Sequence, residues 1–343
     1  MKDKPPSIQE WKALYDAAIE FKKIECWNWM WDSDIFGVQN PVNGEIGYCC
    51  IMGRLGKHFG LAVYLGTEGL EGYLRMRARE FSKTTDILHL QKCLMASFED
   101  RKLLQNKDIQ IIKMLGLKFR GRNSWPLFKN YLPGYHPWYL NIDEVRYLTL
   151  VLHQTLEVAI RFKEEPELLT PLRENCYLVR MPKKEGDVLK WRDEWLEPIP
   201  LEKTVFITKP VDKSCLERIK KISSQQQEIW EADFFYSPIG VKEKGERPYY
   251  PYIILWAEHR SGFILGFHMA KSSEYKSEFM EHFLSLIENT KSLPMELFVK
   301  KKEVFKLLEP ITSELNIKLS VVEKLVALED AQNNLFNFLN KRR

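Results

Sequence analysis

Behind Ser7 and Glu10, whose spacing suits a reciprocal helix cap, Trp11, Leu14, Ala18 and Phe21 recur at helical intervals, so the chain is expected to open with an amphipathic helix lying on a sheet. The period then changes. From 34 to 66, β-prone runs are broken at Asn43-Gly44 and Gly56-Lys57, which predicts an antiparallel meander. Helical stretches are predicted over 67–80, 84–95 and 106–115, and Asn141 with Glu144 caps a longer helix striped by Val145, Leu148, Leu152, Leu156 and Ala159. Residues 176–196 read as two short strands about a Lys-Lys-Glu-Gly turn. Pro198, Pro200, Pro210 and the polar run 223–228 then mark a change of composition.

Past Trp230 the pattern is three strands, then helix, strand, helix, strand, helix. Residues 252–270 form two β runs about Arg260-Ser261-Gly262, a hairpin that the strand around Asp233 extends to three antiparallel strands. A helix from about Ser273 carries Tyr275, Phe279, Phe283 and Leu286 on one face and stops before Pro294. Short strands at 296–300 and 317–322 alternate with helices near 302–315 and 323–340, as parallel strands joined by crossovers do, with Pro310 expected to kink or split the first of these helices. The expected organisation is therefore an α+β domain over 1–199 (helices with an antiparallel meander), a linker over 200–225, and an α/β mixed-sheet domain over 226–343.

Composition narrows the class. The 343 residues are 45% hydrophobic and 13% aromatic, enough to bury two cores. The longest apolar run, Tyr252 to Ala257, is far below the roughly 20 residues of a membrane span. The opening segment lacks signal-peptide character and six cysteines are few for this length, so reduced thiols, a cytoplasmic location and no membrane association are expected. Net charge is only +4, with 35 basic and 30 acidic residues up to 225 against 16 and 17 beyond, which argues against a dedicated, strongly basic nucleic-acid binder.

The runs WEADFFYSPI, ILWAEHRSGFILGF and PMELFVKKKEVFKLLEPITSELNIKLSV resemble the ribonuclease-H-like catalytic core of retroviral-type integrases and transposases over about one third of the chain. The whole chain is also similar to a family of bacterial two-domain proteins of unknown function, through DIFGVQNPVNGEIGYCCIMG, LMASFEDR and WPLFKNYLPGYHPW. The integrase resemblance implies metal-binding carboxylates, with Asp233 as the first ligand. Two-metal chemistry needs several carboxylates converging on one end of the sheet. Where the second belongs, after the fourth strand, stand Val299, Lys300, Lys301 and Lys302, and an ammonium opposes a divalent cation. Glu303 lies just beyond; Glu323, Glu329 or Asp330 could enter from the last helix, and Glu278 from the first. Without a metal, a buried Asp233 needs a cationic partner, for which Lys300 or a neighbour is the candidate.

The stretch 118–139 holds Lys118, Arg120, Arg122 and Lys129 among seven aromatics and no acid. Cations can follow phosphates while rings stack on bases, with Trp125 and Trp138 as platforms. The competing reading is an irregular, proline-braced loop pinned to the core by the same aromatics. His89 and Cys93 share a helix face in the predicted 84–95 helix, but neither they nor Cys49, Cys50 and His58 form a paired metal motif, so no metal or cofactor is expected. GRLGKHFG, 53–60, lacks phosphate-loop spacing and reads as a turn. The broken carboxylate set favours a non-catalytic binding or adaptor protein with an unspecified protein or nucleic-acid partner. The alternatives are a metal-dependent nuclease or transposase-derived enzyme using Asp233, and single-stranded nucleic-acid binding through 118–139.

Overall fold

The computed structural model describes residues 5–79, 87–171, 173–186, 188–201, 213–222 and 224–340. They divide into two compact units, one holding the described residues up to 133 and 137–201, the other 134–136 and those from 213 onward. Among them no helix is long and apolar enough to cross a membrane.

In the first unit, helix α1 (Ile8–Ile24) begins at the expected cap: Ser7 N–H donates to the Glu10 carboxylate at 2.7 Å and Glu10 N–H donates to the Ser7 hydroxyl. Strands β1 (Phe36–Gln39), β2 (Ile46–Met52) and β3 (Gly60–Leu65) form the predicted meander, followed by α2 (Gly66–Arg77). The predicted helix over 84–95 is corrected: α3 (Ile87–Leu90) is one turn, Cys93–Glu99 is strand β4, and 84–86 lie outside the described residues. β4 pairs with β3 and with the strand after α4 (Asn106–Met114), and its two faces pack in different cores, Leu94, Ala96 and Phe98 in one and Cys93 and Met95 in the other, so its sequence shows little strand alternation. That next strand, β5 (Trp125–Tyr131), replaces much of the loop expected over 118–139. It is the sheet edge, where Pro126, lacking an N–H, is tolerated.

Helix α5 (Ile142–Glu164) and the hairpin β6 (Tyr177–Glu185) and β7 (Val188–Leu196) complete a seven-stranded sheet of order β5-β4-β3-β2-β1-β6-β7. All neighbours are antiparallel except β1 and β6. Alternation splits the sheet residues between two cores. Phe36, Val38, Cys49, Ile51 and Val63 pack with α1 and α5, while Tyr48, Cys50, Ala62 and Tyr64 pack with Leu70 and Tyr73 of α2. Arg180 of β6 is buried and ties this arrangement to α5, donating to Gln154 at 3.0 Å, to Asp193 of β7 at 2.6 Å and to Glu157.

One glycine is required by close approach: a Cβ on Gly60 would lie 2.4 Å from the Ala96 carbonyl oxygen on β4. Gly60→Ala is therefore expected to destabilise the protein by about 1–3 kcal/mol, the usual cost of overpacking. Urea unfolding measures this, and an unchanged midpoint would show that the strands separate without penalty.

The second unit starts inside the segment expected to be a linker. Helix α6 (Lys213–Ile222) buries Leu216 and Ile219 in the second core, and β8 (Ser224–Gln225) pairs with β12 (Ser292–Leu293); residues 202–212 and 223 lie outside the described residues. Its main sheet contains β9 (Ile229–Tyr236), β10 (Tyr252–Glu258), β11 (Ile264–Ala270), β13 (Glu296–Val299) and β14 (Lys318–Val321), in the order β11-β10-β9-β13-β14. β9, β10 and β11 are antiparallel neighbours; β13 runs parallel to both β9 and β14, with Phe298 opposite Glu231. Helices α7 (Tyr275–Thr290) and α8 (Lys302–Glu314) pack on Trp230, Ala232, Phe234 and Trp256, and α9 (Val326–Asn340) sits on the other face against Leu255 and Ala257. Pro310 does not split α8, which continues through it as one helix. The strand order and directions are those of a ribonuclease-H-like fold.

Candidate functional site

Alternation along β9 sends Trp230, Ala232 and Phe234 into the core beneath α7 and α8, and puts Glu231, Asp233 and Phe235 on the face covered by α9. Parallel pairing with β13 brings the lysines that follow Val299 to the end of β9. Lys301 Nζ lies 2.9 Å from Asp233 Oδ1, donates to the Phe234 carbonyl and sits 4.9 Å over the Phe234 ring. The partner expected for Asp233, Lys300 or a neighbour, is thus the neighbour Lys301, while Lys300 reaches Glu329 of α9 at 2.8 Å. That hydrogen bond holds the Glu329 carboxyl below its ordinary range.

The other suggested carboxylates do not converge on Asp233. Glu303 accepts from the Tyr275 hydroxyl at 2.8 Å and faces Lys276 at 3.0 Å. Glu278 is engaged by His268 of β11, and Glu323 and Asp330 are exposed. No three His, Cys, Asp or Glu side chains among the described residues are placed to hold a metal ion. Beside Glu303, Tyr236, Tyr252 and Tyr275 stack with ring centroids 4.1 and 4.0 Å apart, and burial pushes the phenols of Tyr252 and Tyr275 well above their ordinary pKa, so they remain neutral.

The fully buried acid of this sheet is Glu231, which the sequence reading passed over. One carboxylate oxygen lies 2.5 Å from His259 Nδ1, and the other accepts from Leu328 N–H in the first turn of α9 at 2.9 Å. The signal was present: Glu231 is two residues from Asp233 in an apolar strand and so shares its face. Its role is to satisfy a helix-start amide that would otherwise be buried without a partner.

In the first unit the suggested binding residues separate. Lys129 is buried, with its Nζ 3.0 and 3.1 Å from the two Asp108 oxygens and 3.8 Å over the Tyr139 ring, which corrects its assignment to a basic surface. The cause is a partner distant in sequence, since Asp108 of α4 holds the ammonium away from solvent. Lys118, Arg120 and Arg122 are exposed, and Trp125 and Trp138 are half-buried. Lys118, Arg120 and Trp125 line a cleft of about 240 Å³ together with Phe119 and two cations that sequence reasoning missed, Arg101 and Lys113. Arg122 and Trp138 lie outside this lining. All six cysteines are free, and burial pushes the Cys49 thiol up to about 12, so it is no thiolate nucleophile at neutral pH. His89 and Cys93 occupy different elements, α3 and β4.

Residues 11–180 match a domain of unknown function, DUF7309, and residues 215–336 match a second domain of unknown function, DUF6930. No curated protein matches the chain. Among solved structures, the HTLV-2 integrase catalytic core domain in complex with magnesium is similar in its trimeric form at 20% identity, covering 35% of this chain and 74% of that chain with a TM-score of 0.26. Its dimeric form gives 21% identity, 34% and 72% coverage, and a TM-score of 0.26.

Proposed function

We propose that this protein, which joins a DUF7309 domain to a DUF6930 domain, is a non-catalytic cytoplasmic binding protein whose ribonuclease-H-like domain holds acidic positions in ion pairs instead of around a metal. The observation that carries this reading is the pairing of Asp233 with Lys301 at 2.9 Å and of Glu329 with Lys300 at 2.8 Å. Each ammonium supplies locally the positive charge a divalent ion would bring, and binding such an ion would first require breaking a pair and then dehydrating the metal. The free thiols, four of them buried, support a reducing compartment.

Calorimetric titration with magnesium and manganese, together with cleavage assays on single-stranded, double-stranded and hybrid substrates, tests the reading. Neither tight binding nor cleavage is expected. Asp233→Asn should change stability by no more than about 1 kcal/mol, because the Lys301 side chain is 40% exposed and water screens the pair. Metal-dependent cleavage that vanishes in folded Asp233→Asn protein would establish the enzyme instead.

A further inference from the structure

We infer that the cleft beside Trp125 is a binding site for a nucleotide unit, with the phosphate on its cations and the base against its aromatic wall. Arg101, Lys113, Lys118 and Arg120 all line this cleft, and no acidic residue does. All four are exposed, and none of them is salt-bridged to a carboxylate among the described residues. This sets them apart from other cations of the same unit, such as Lys92 with Glu68, Arg146 with Glu10 and Arg161 with Asp193. Of the acids nearest in sequence, Asp108 is committed to Lys129 and Asp100 to the Asn123 amide at 3.0 Å, while Glu99, opposite Trp125 across the β4–β5 pairing, does not line the cleft. Four like charges around one concavity repel each other, and an anion entering it relieves that repulsion.

The wall supplies the second half of the recognition. Trp125 stands edge-on to Phe119 with centroids 5.9 Å apart, and the Arg101 guanidinium lies 5.8 Å from the Trp125 ring centre. Ile109 and Ile112 of α4 add apolar lining. A flat ring slid against Trp125 gains stacking of a kind that every base offers. A volume of about 240 Å³ has room for a single base rather than for several. The ligand class is therefore a phosphate attached to an aromatic heterocycle, supplied either as a free nucleotide or as one residue of a single strand.

This inference is independent of the ion pairs in the second unit, so failure of either leaves the other standing. The test uses the full chain with nucleoside monophosphates in calorimetry and a labelled short oligothymidylate in fluorescence polarisation. Binding of at least one probe is expected. Lys118→Ala combined with Arg120→Ala, both at exposed positions, should weaken it by about tenfold or more and make what binding remains less sensitive to salt. Arg122→Ala, outside the lining, should bind as the parent does. Monophosphate binding lost in the double variant identifies a free-nucleotide site; oligonucleotide binding alone, lost in the same variant, identifies a single-strand site. The inference is overturned if neither probe binds, if the folded double variant binds unchanged, or if inorganic phosphate or polyglutamate competes as well as the nucleotide probe.

Discussion

Asp108→Ala is expected to destabilise the protein by about 3–5 kcal/mol, the cost of leaving a buried charge without its counter-ion. Lys129 and Asp108 have side chains only 8% and 7% exposed, so water cannot replace the missing carboxylate. Burial already holds the Lys129 ammonium below its ordinary pKa while Asp108 opposes that shift, and the substitution removes the opposition. Asp108 also accepts from Gln105 N–H at 2.9 Å, so α4 loses its cap with the same change. Asp108→Leu combined with Lys129→Met should recover most of the loss, since apolar groups of similar size replace a buried pair at little cost. Urea unfolding of the singles and the double measures the coupling. A cost below about 1 kcal/mol for Asp108→Ala would mean that solvent reaches Lys129 despite its burial.

Glu231→Ala should cost about 3 kcal/mol, because it strands the Leu328 amide and removes the hydrogen-bond partner of His259. Glu231→Gln preserves the shape and an acceptor for Leu328, so it should lose roughly half as much. Both variants are compared by chemical unfolding with the second unit's tryptophans, Trp230 and Trp256, among the reporters. If Glu231→Ala were as stable as the parent, the carboxylate would not be anchoring α9, and its burial would need a functional explanation.

The second unit was legible because its signals are local. Turn residues separate β10 from β11, Pro294 ends α7, and the strand lengths leave little choice of order. The first unit hid more. In β4, Cys93 to Ala96 is apolar on both faces, so no alternation distinguishes a strand from a buried helix. β5 carries a proline, a lysine and an asparagine, which mimic a loop until its edge position is known. The site residues show the same limit. Lys129 and Arg120 are both basic residues of one segment, yet Asp108 captures the first and leaves the second exposed. Arg101 and Lys113 lie outside the segment, the first just after β4 and the second in α4, and join its cleft only in the fold. Charge and composition identify candidates; burial and partners are set by contacts distant in sequence.

The parallel pairing of β1 with β6 has a consequence for how the protein is made. Gly37 meets Val179 and Val38 meets Arg180, whereas β2 to β5 each pair with the preceding strand. A nascent chain can zip up the meander as it leaves the ribosome, but one side of β1 waits for its neighbour until most of the unit has been synthesised. Closing that long loop costs entropy before the contact returns anything, so docking of the β6–β7 hairpin should be the slow step of folding. During the delay an apolar strand with an open hydrogen-bonding edge is available to other chains. The hairpin thus acts as a late-arriving edge guard, and a chain interrupted after α5 would be prone to self-association through β1.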